Sequence, residues 1–186
     1  YFYDLNKDLI AQFPVKPRHN SRMMVISKKS DDPLGVSHCK VWDLVHHIKS
    51  EDLIITNNTR VIKARLRILI DGKSMGELLV LEPIANGKWL CLVKPGKKIK
   101  IGKKVFLMAK NQESIELFVL NVDKQTGGRV VQFPEQFSNR ESMEKLLSDY
   151  GEVPLPPYIN RVNDNHSECY QTRFASVPGA VAAPTA

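Results

Sequence analysis

Between Val61 and Phe133 six strand-length segments succeed one another with no helical period among them, and this limits the available folds more than any other feature. The segments are Val61 to Ile70, Glu77 to Glu82, Lys88 to Val93, Lys104 to Met108, Ile115 to Val122 and Arg129 to Phe133. Six consecutive strands without a crossover helix predict a small antiparallel barrel. Asp71-Gly72 and Asn86-Gly87 fall between strand pairs, where a two-residue hairpin turn needs positive φ and these dipeptides supply it. Gly127-Gly128 is read as another hairpin. From Lys98 to Val105 lysines alternate with Ile99, Ile101 and Val105, broken at Gly102, so basic residues are expected to line one barrel surface.

The flanking sequence has a different rhythm. Leu5 to Ile10 predicts a short helix, Arg22 to Ile26 a buried strand and Asp31 to Gly35 a turn. Val41, Leu44, Val45 and Ile48 stand at helical spacing, which predicts a second helix on which His46 and His47 are solvated. Leu53 to Thr56 reads as a short strand. Beyond Phe133-Pro134 a helix is expected, with Ser138 and Glu141 as a capping box, apolar Met143, Leu146 and Leu147 behind them, and Gly151 as terminator. The fold expected is an α/β (α+β mixed) domain, residues 1–62 and 138–186, interrupted by an inserted small antiparallel β-barrel, residues 63–137.

Composition matters chiefly through where the charge lies. The chain has 186 residues, of which 42% are hydrophobic and 25% charged, which excludes disordered and fibrous classes. Its net charge is +7, yet residues 60–110 hold 13 Lys and Arg against 3 acidic residues, leaving 14 against 17 elsewhere. A positive excess confined to one segment favours a polyanion, through phosphate neutralisation and counterion release. A solvated basic surface is the alternative. Apolar runs such as Leu53 to Ile55 fall far short of the roughly 18 residues that span a bilayer, so no membrane partner is expected. Tyr1 stands first and no signal peptide is recognisable, so a cytoplasmic protein shown without its true start is expected. Cys39, Cys91 and Cys169 are odd in number and far apart, which points to reduced thiols and no metal site.

Two nucleotide signatures fail. Five residues rather than four separate Gly96 from Gly102-Lys103, and Lys104 occupies the Ser/Thr position of a P-loop. No G-x-G-x-x-G follows a strand. Four dense segments remain. Ile10 to Pro14, with Arg18 and Ser21-Arg22, and Asn57-Asn58-Thr59-Arg60, running on to Arg65-Leu66, place amide, hydroxyl and guanidinium groups beside strand ends, as suits carboxylate, phosphate or ribose hydroxyls. Turn chemistry is the plainer explanation of Asn57 to Thr59. Pro154 to Arg161 is a proline-stiffened loop presenting Tyr158 and Arg161. It is similar to the Pro-Pro-Tyr loop of amino-methyltransferases, but Leu155 stands where those need Asp, Asn or Ser, which argues against methyl transfer. Tyr170-Gln171-Thr172, leading to the small residues Gly179 to Ala186, is the fourth; a tightly packed turn would also explain the Gly/Ala run.

In this order, with the strand block between the second and third, these segments resemble the S-adenosylmethionine:tRNA ribosyltransferase-isomerase family of queuosine biosynthesis. The resemblance implies a catalytic domain interrupted by a β-barrel. It also implies a reaction, in which the ribosyl moiety of S-adenosylmethionine moves onto 7-aminomethyl-7-deazaguanine at the tRNA wobble position, giving epoxyqueuosine with release of adenine and methionine. S-adenosylmethionine is then a consumed substrate, with no cofactor and no metal; the partner is tRNA with a GUN anticodon, and a monomer is expected. On this resemblance Tyr158, Arg161 and Tyr170 are the candidate catalytic residues, and Arg22, Asn58, Thr59, Arg60, Gln171 and Thr172 the candidate substrate-binding ones. Lys94, Lys97, Lys98, Lys100, Lys103 and Lys104 would contact the tRNA backbone. Cys169 stands where the family usually carries Arg, and in the family the Ala-Pro-Thr-Ala segment continues into Gly-Leu-His-Phe and a further portion of the catalytic domain. The rival expectation from another class is a non-catalytic RNA-binding barrel.

Overall fold

Arg22–Ile26 (β1) and Val36–Lys40 (β2) form an antiparallel pair in the computed structural model, which describes residues 2–27, 35–108, 114–159 and 166–182. The turn expected from Asp31 to Gly35 lies, apart from Gly35, outside the described residues. The two helices expected in this region are 3-10 turns, Lys7–Leu9 and Val41–His46. Asp43 accepts from the Lys40 backbone N–H at 2.8 Å and so starts the second turn. Its apolar residues stay largely exposed, so the helical spacing there has no described core to face. His46 and His47 are solvated, as expected.

Thr59–Val61 (β3) precedes the barrel strands Arg65–Ile70 (β4), Ser74–Ala85 (β5), Lys88–Lys94 (β6), Lys104–Leu107 (β7), Ile115–Val122 (β8) and Arg129–Gln132 (β9). Arg140–Tyr150 (α1), Gly151–Glu152 (β10), His166–Cys169 (α2) and Val177–Ala180 (β11) complete the described elements. The barrel order is β4-β5-β6-β9-β8-β7, and β7 returns to β4 through Ile68↔Leu107, Leu69↔Phe106 and Ile70↔Val105. Closure leaves the six strands no long free edge. Alternation fills the interior: Leu66, Ile68, Ile70, Leu78, Val80, Val105, Leu107, Leu117, Val119 and Val131 are buried, joined by Ile99 from a loop and by Trp89, Cys91 and Phe133. Met143, Leu146 and Leu147 of α1 join that core. The chain is therefore a mixed fold of short sheets and few helices, interrupted by a closed antiparallel barrel.

Three boundaries differ from expectation. Val61 to Ile70 is two strands, because Val61 belongs to the parallel pair β3–β11 while Arg65 enters the barrel. Leu53 to Thr56 is not a strand: its backbone has no ladder partner among the described residues, and Leu53, Ile54 and Ile55 are 85%, 62% and 77% exposed. The cap of α1 is Asn139, whose side chain accepts from Ser142 N–H at 2.8 Å, rather than the expected Ser138 and Glu141 box. The described residues cluster into two units, residues 1–56 with 156–169, and 57–155 with 170–186. No helix among them is long and apolar enough to cross a membrane.

Candidate functional site

The segment from Asn57 to Val61 is held by side chains from more than 100 positions away. Gln171, 5% exposed, accepts from Val61 N–H at 2.8 Å and donates to Val61 C=O at 2.9 Å. One amide thus occupies both ladder positions that a neighbouring strand would fill. Thr172 Oγ1 donates to Asn57 C=O at 3.1 Å. The Asn57 side chain accepts from Thr59 N–H at 2.8 Å, an Asx turn, and Asn58 C=O accepts from Ser176 and Val177 N–H. Asn58, Thr59, Arg60, Tyr170, Gln171 and Thr172 are therefore brought together in one place. Within it the Asn58 side chain is exposed while those of Thr59, Arg60 and Tyr170 are half-buried. A loop so fastened presents its hydroxyl, amide and guanidinium groups on a fixed backbone. A small cleft of about 90 Å³ lies beside β11, lined by Trp89, Arg140, Met143, Glu144, Pro178 and Gly179 among others.

Of the other candidates, Arg22 and Tyr158 belong to the unit of residues 1–56 with 156–169. Arg22 opens β1 opposite Lys40. Tyr158 is 55% exposed, and its carbonyl accepts from Gln12 Nε2 at 2.9 Å. Arg18 donates to Cys169 C=O at 3.3 Å in the same unit. Arg161 lies outside the described residues.

The lysines occupy the β6–β7 connection and its ends. Lys94, Lys97 and Lys100 are exposed and make no ion pair with described residues. Lys98 donates to Ser74 Oγ at 3.4 Å, Lys103 pairs with Asp71 at 2.9 Å, and Lys104 pairs with Glu116 at 3.1 Å while lying over the Phe118 ring. Exposed pairs of this kind contribute about 0–1 kcal/mol and open readily to a phosphate. The alternation expected here holds for Ile99 and Val105, both buried, and fails at Ile101, which is exposed because residues 98–103 turn rather than run as a strand.

Sequence reasoning missed two arginines. Arg67 on β4 donates from Nε and Nη2 to Glu152 of β10 at 3.0–3.2 Å, and from Nη1 to Glu77 of β5 at 3.2 Å. The Glu152 hydrogen bond, with the nearby carboxylates, raises its pKa above the usual arginine value. Arg65 and Glu77 border a groove of about 160 Å³ floored by Leu79, Leu92 and Val93. Arg129 binds four backbone carbonyls, two in the lysine-rich connection and two in the β8–β9 turn. Each set includes a partner that is not signalled locally, since Glu152 and Gly96 lie 85 and 33 positions from their arginines. Among the described residues no group of three or more His, Cys, Asp or Glu is placed to hold a metal ion.

The family model described as "Queuosine biosynthesis protein" matches residues 1–186. A Prochlorococcus marinus protein named S-adenosylmethionine:tRNA ribosyltransferase-isomerase is 51% identical over all of this chain and 50% of its own length. A Synechococcus relative of the same name is 50% identical over the same shares. The chain spans about half the length of the curated relatives it matches. A solved S-adenosylmethionine tRNA ribosyltransferase from Thermotoga maritima is 29% identical, with a TM-score of 0.35 over 79% of this chain and 53% of that one.

Proposed function

Because this chain belongs to the queuosine biosynthesis protein family, we propose that it forms part of an S-adenosylmethionine:tRNA ribosyltransferase-isomerase acting in the cytoplasm on tRNA with a GUN anticodon. The observation that carries this reading is about half identity to proteins of that name, sustained over every residue of the chain. The proposed reaction moves the ribosyl moiety of S-adenosylmethionine onto the aminomethyl group of 7-aminomethyl-7-deazaguanine, giving epoxyqueuosine and releasing adenine and methionine. S-adenosylmethionine is consumed as a substrate, so the proposal calls for no resident cofactor.

Such chemistry needs a neutral attacking amine, a base for the proton beside the sulfonium and a donor to the departing adenine. Tyr158, Arg161 and Tyr170 are the proposed catalytic residues, the tyrosines stacking or relaying protons and Arg161 holding an anionic group. Arg22 and Arg60 are proposed to meet anionic groups of the substrates, and Asn58 and Thr59 to bond ribose or base. Gln171 and Thr172 are proposed to act on the substrate through the backbone they hold, Gln171 bonding both backbone groups of Val61 and Thr172 the Asn57 carbonyl. Lys94, Lys97, Lys98, Lys100, Lys103 and Lys104 contact tRNA phosphates. Division into a catalytic domain, residues 1–62 and 138–186, and an inserted tRNA-binding barrel, 63–137, is part of the proposal, as is a monomeric enzyme without a metal.

The test is to incubate the full-length protein with S-adenosylmethionine and tRNA carrying the aminomethyl-deazaguanine. Adenine release matched by a gain of mass at the tRNA base is the expected result. Tight tRNA binding with neither product would replace the transferase by a non-catalytic RNA-binding barrel.

A further inference from the structure

Lysine-rich loops usually leave their charges mobile, and ordering them on a partner costs conformational entropy. The β6–β7 connection is built otherwise. Its Ile99 side chain is fully buried in the barrel core, anchoring the middle of the loop. Lys98 N–H donates to Pro95 C=O, and Lys103 N–H to Lys100 C=O, so the backbone is folded into consecutive turns. Its far end is stitched to β8, where Gly102 N–H meets Val119 C=O at 2.8 Å and Val119 N–H meets Lys103 C=O at 3.0 Å.

The remaining restraint is Arg129, at the start of β9, opposite Cys91 of β6 and Val122 of β8. Its Nε donates to Ile99 C=O at 2.9 Å and its Nη2 to Gly96 C=O at 3.2 Å. Its Nη1 donates to Gly127 C=O at 2.8 Å and Gly128 C=O at 3.1 Å. One planar fork thereby fastens the lysine loop to the β8–β9 turn, with geometry a lysine's single ammonium point does not reproduce. Among the described residues no carboxylate pairs with it, so its charge adds to the field of the neighbouring lysines.

We propose that Arg129 is a positioning residue for RNA binding, which holds the Gly96 to Lys100 backbone so that Lys97, Lys98 and Lys100 meet successive phosphates as a preorganised set. The inference rests on the proposed contact between these lysines and the tRNA backbone. Arg129 itself is spent on carbonyls and acts through the loop.

The experiment measures affinity of the full chain for tRNA over a range of salt, for the parent, R129K, the triple variant K97Q/K98Q/K100Q and the combination. The triple variant is expected to weaken binding at least about tenfold near 0.1 M salt and to flatten the salt slope by roughly three. R129K, which keeps the charge, is expected to weaken binding about threefold or more, and the triple substitution to cost correspondingly less in its background. Amide exchange is expected to accelerate at Lys98 and Lys103 while β4 stays protected. Parent-like affinity of the triple variant would remove the lysine contact and this inference with it. A weakened triple variant combined with parent-like R129K, or with strictly additive losses, would leave the lysine contact standing and overturn the role of Arg129. Loss of protection throughout β4 in R129K would also overturn it, by making Arg129 a support of the whole barrel.

Discussion

Gln171 shows how a residue type suggests one role and its surroundings assign a prior one. Beside Tyr170 and Thr172 it reads as a hydrogen-bonding group for a ligand, yet both its amide atoms are bonded to Val61. Truncation would leave a buried N–H and C=O without partners, at about 1–3 kcal/mol for the unsatisfied groups. Q171A should therefore lower the free energy of unfolding by roughly that amount in a urea titration; an unchanged midpoint would show that water or backbone replaces the amide. Cys91 is a second case. It is fully buried on β6, and burial pushes its thiol well above the usual cysteine value, so it stays protonated and shielded. A thiol reagent should modify the half-exposed Cys39 and Cys169 in the native protein and reach Cys91 only after denaturant is added. Rapid native labelling of all three would contradict the packed barrel interior.

Among the elements, the hairpins were the most legible from sequence. Asp71 and Gly72, and Asn86 and Gly87, all take positive φ; Asn86-Gly87 is the two-residue turn expected, whereas the β4–β5 loop takes in Lys73 as a third residue. The end of α1 was also legible, though for a different reason than a left-handed cap. Gly151 has φ −85° and donates to Leu147 C=O, and a Cβ there would run into the Lys63 and Leu147 carbonyls. G151A is accordingly expected to cost about 1–3 kcal/mol and lower the melting temperature, because the clashing atoms are backbone. The β8–β9 turn carries a pH signal. Asp123 accepts from Thr126 Oγ1 at 2.6 Å and Thr126 N–H at 2.7 Å, which holds its carboxyl below the usual aspartate value. A lowered folded pKa stabilises the native state above the unfolded pKa and loses that contribution as pH falls. The melting-temperature gap between parent and D123N should thus be widest near neutrality and narrow below about pH 4. A gap that stays constant down to pH 2.5 would show that the carboxylate charge contributes nothing.

At the scale of the molecule, charge is the property most clearly partitioned. The basic excess of residues 60–110 falls in the unit that holds the barrel, while the remainder of the chain is net acidic. If the lysines meet tRNA as proposed, binding should weaken linearly in log salt. Replacing Lys94 or Lys100 by Gln should reduce that slope by about one each, while Lys7 or Lys49 substitutions leave it unaltered. Equal effects from both pairs would place the RNA on a diffuse surface. The alternation of apolar residues and the D-G and N-G turns marked the barrel strands and their hairpins by themselves, because strand period and positive φ are steric properties of neighbours in the chain. Sequence motifs singled out Asn57 to Arg60 and Tyr170 to Thr172 as two separate segments, which the fold brings together. Tertiary structure alone decided that Val61 pairs with β11 instead of running on into the barrel strand, that Gln171 serves Val61, and that Arg129 grips Gly96 and Ile99. Each of those outcomes depends on a backbone group supplied from about 30 to 120 positions away, and a hydrogen bond is set by which groups meet in space.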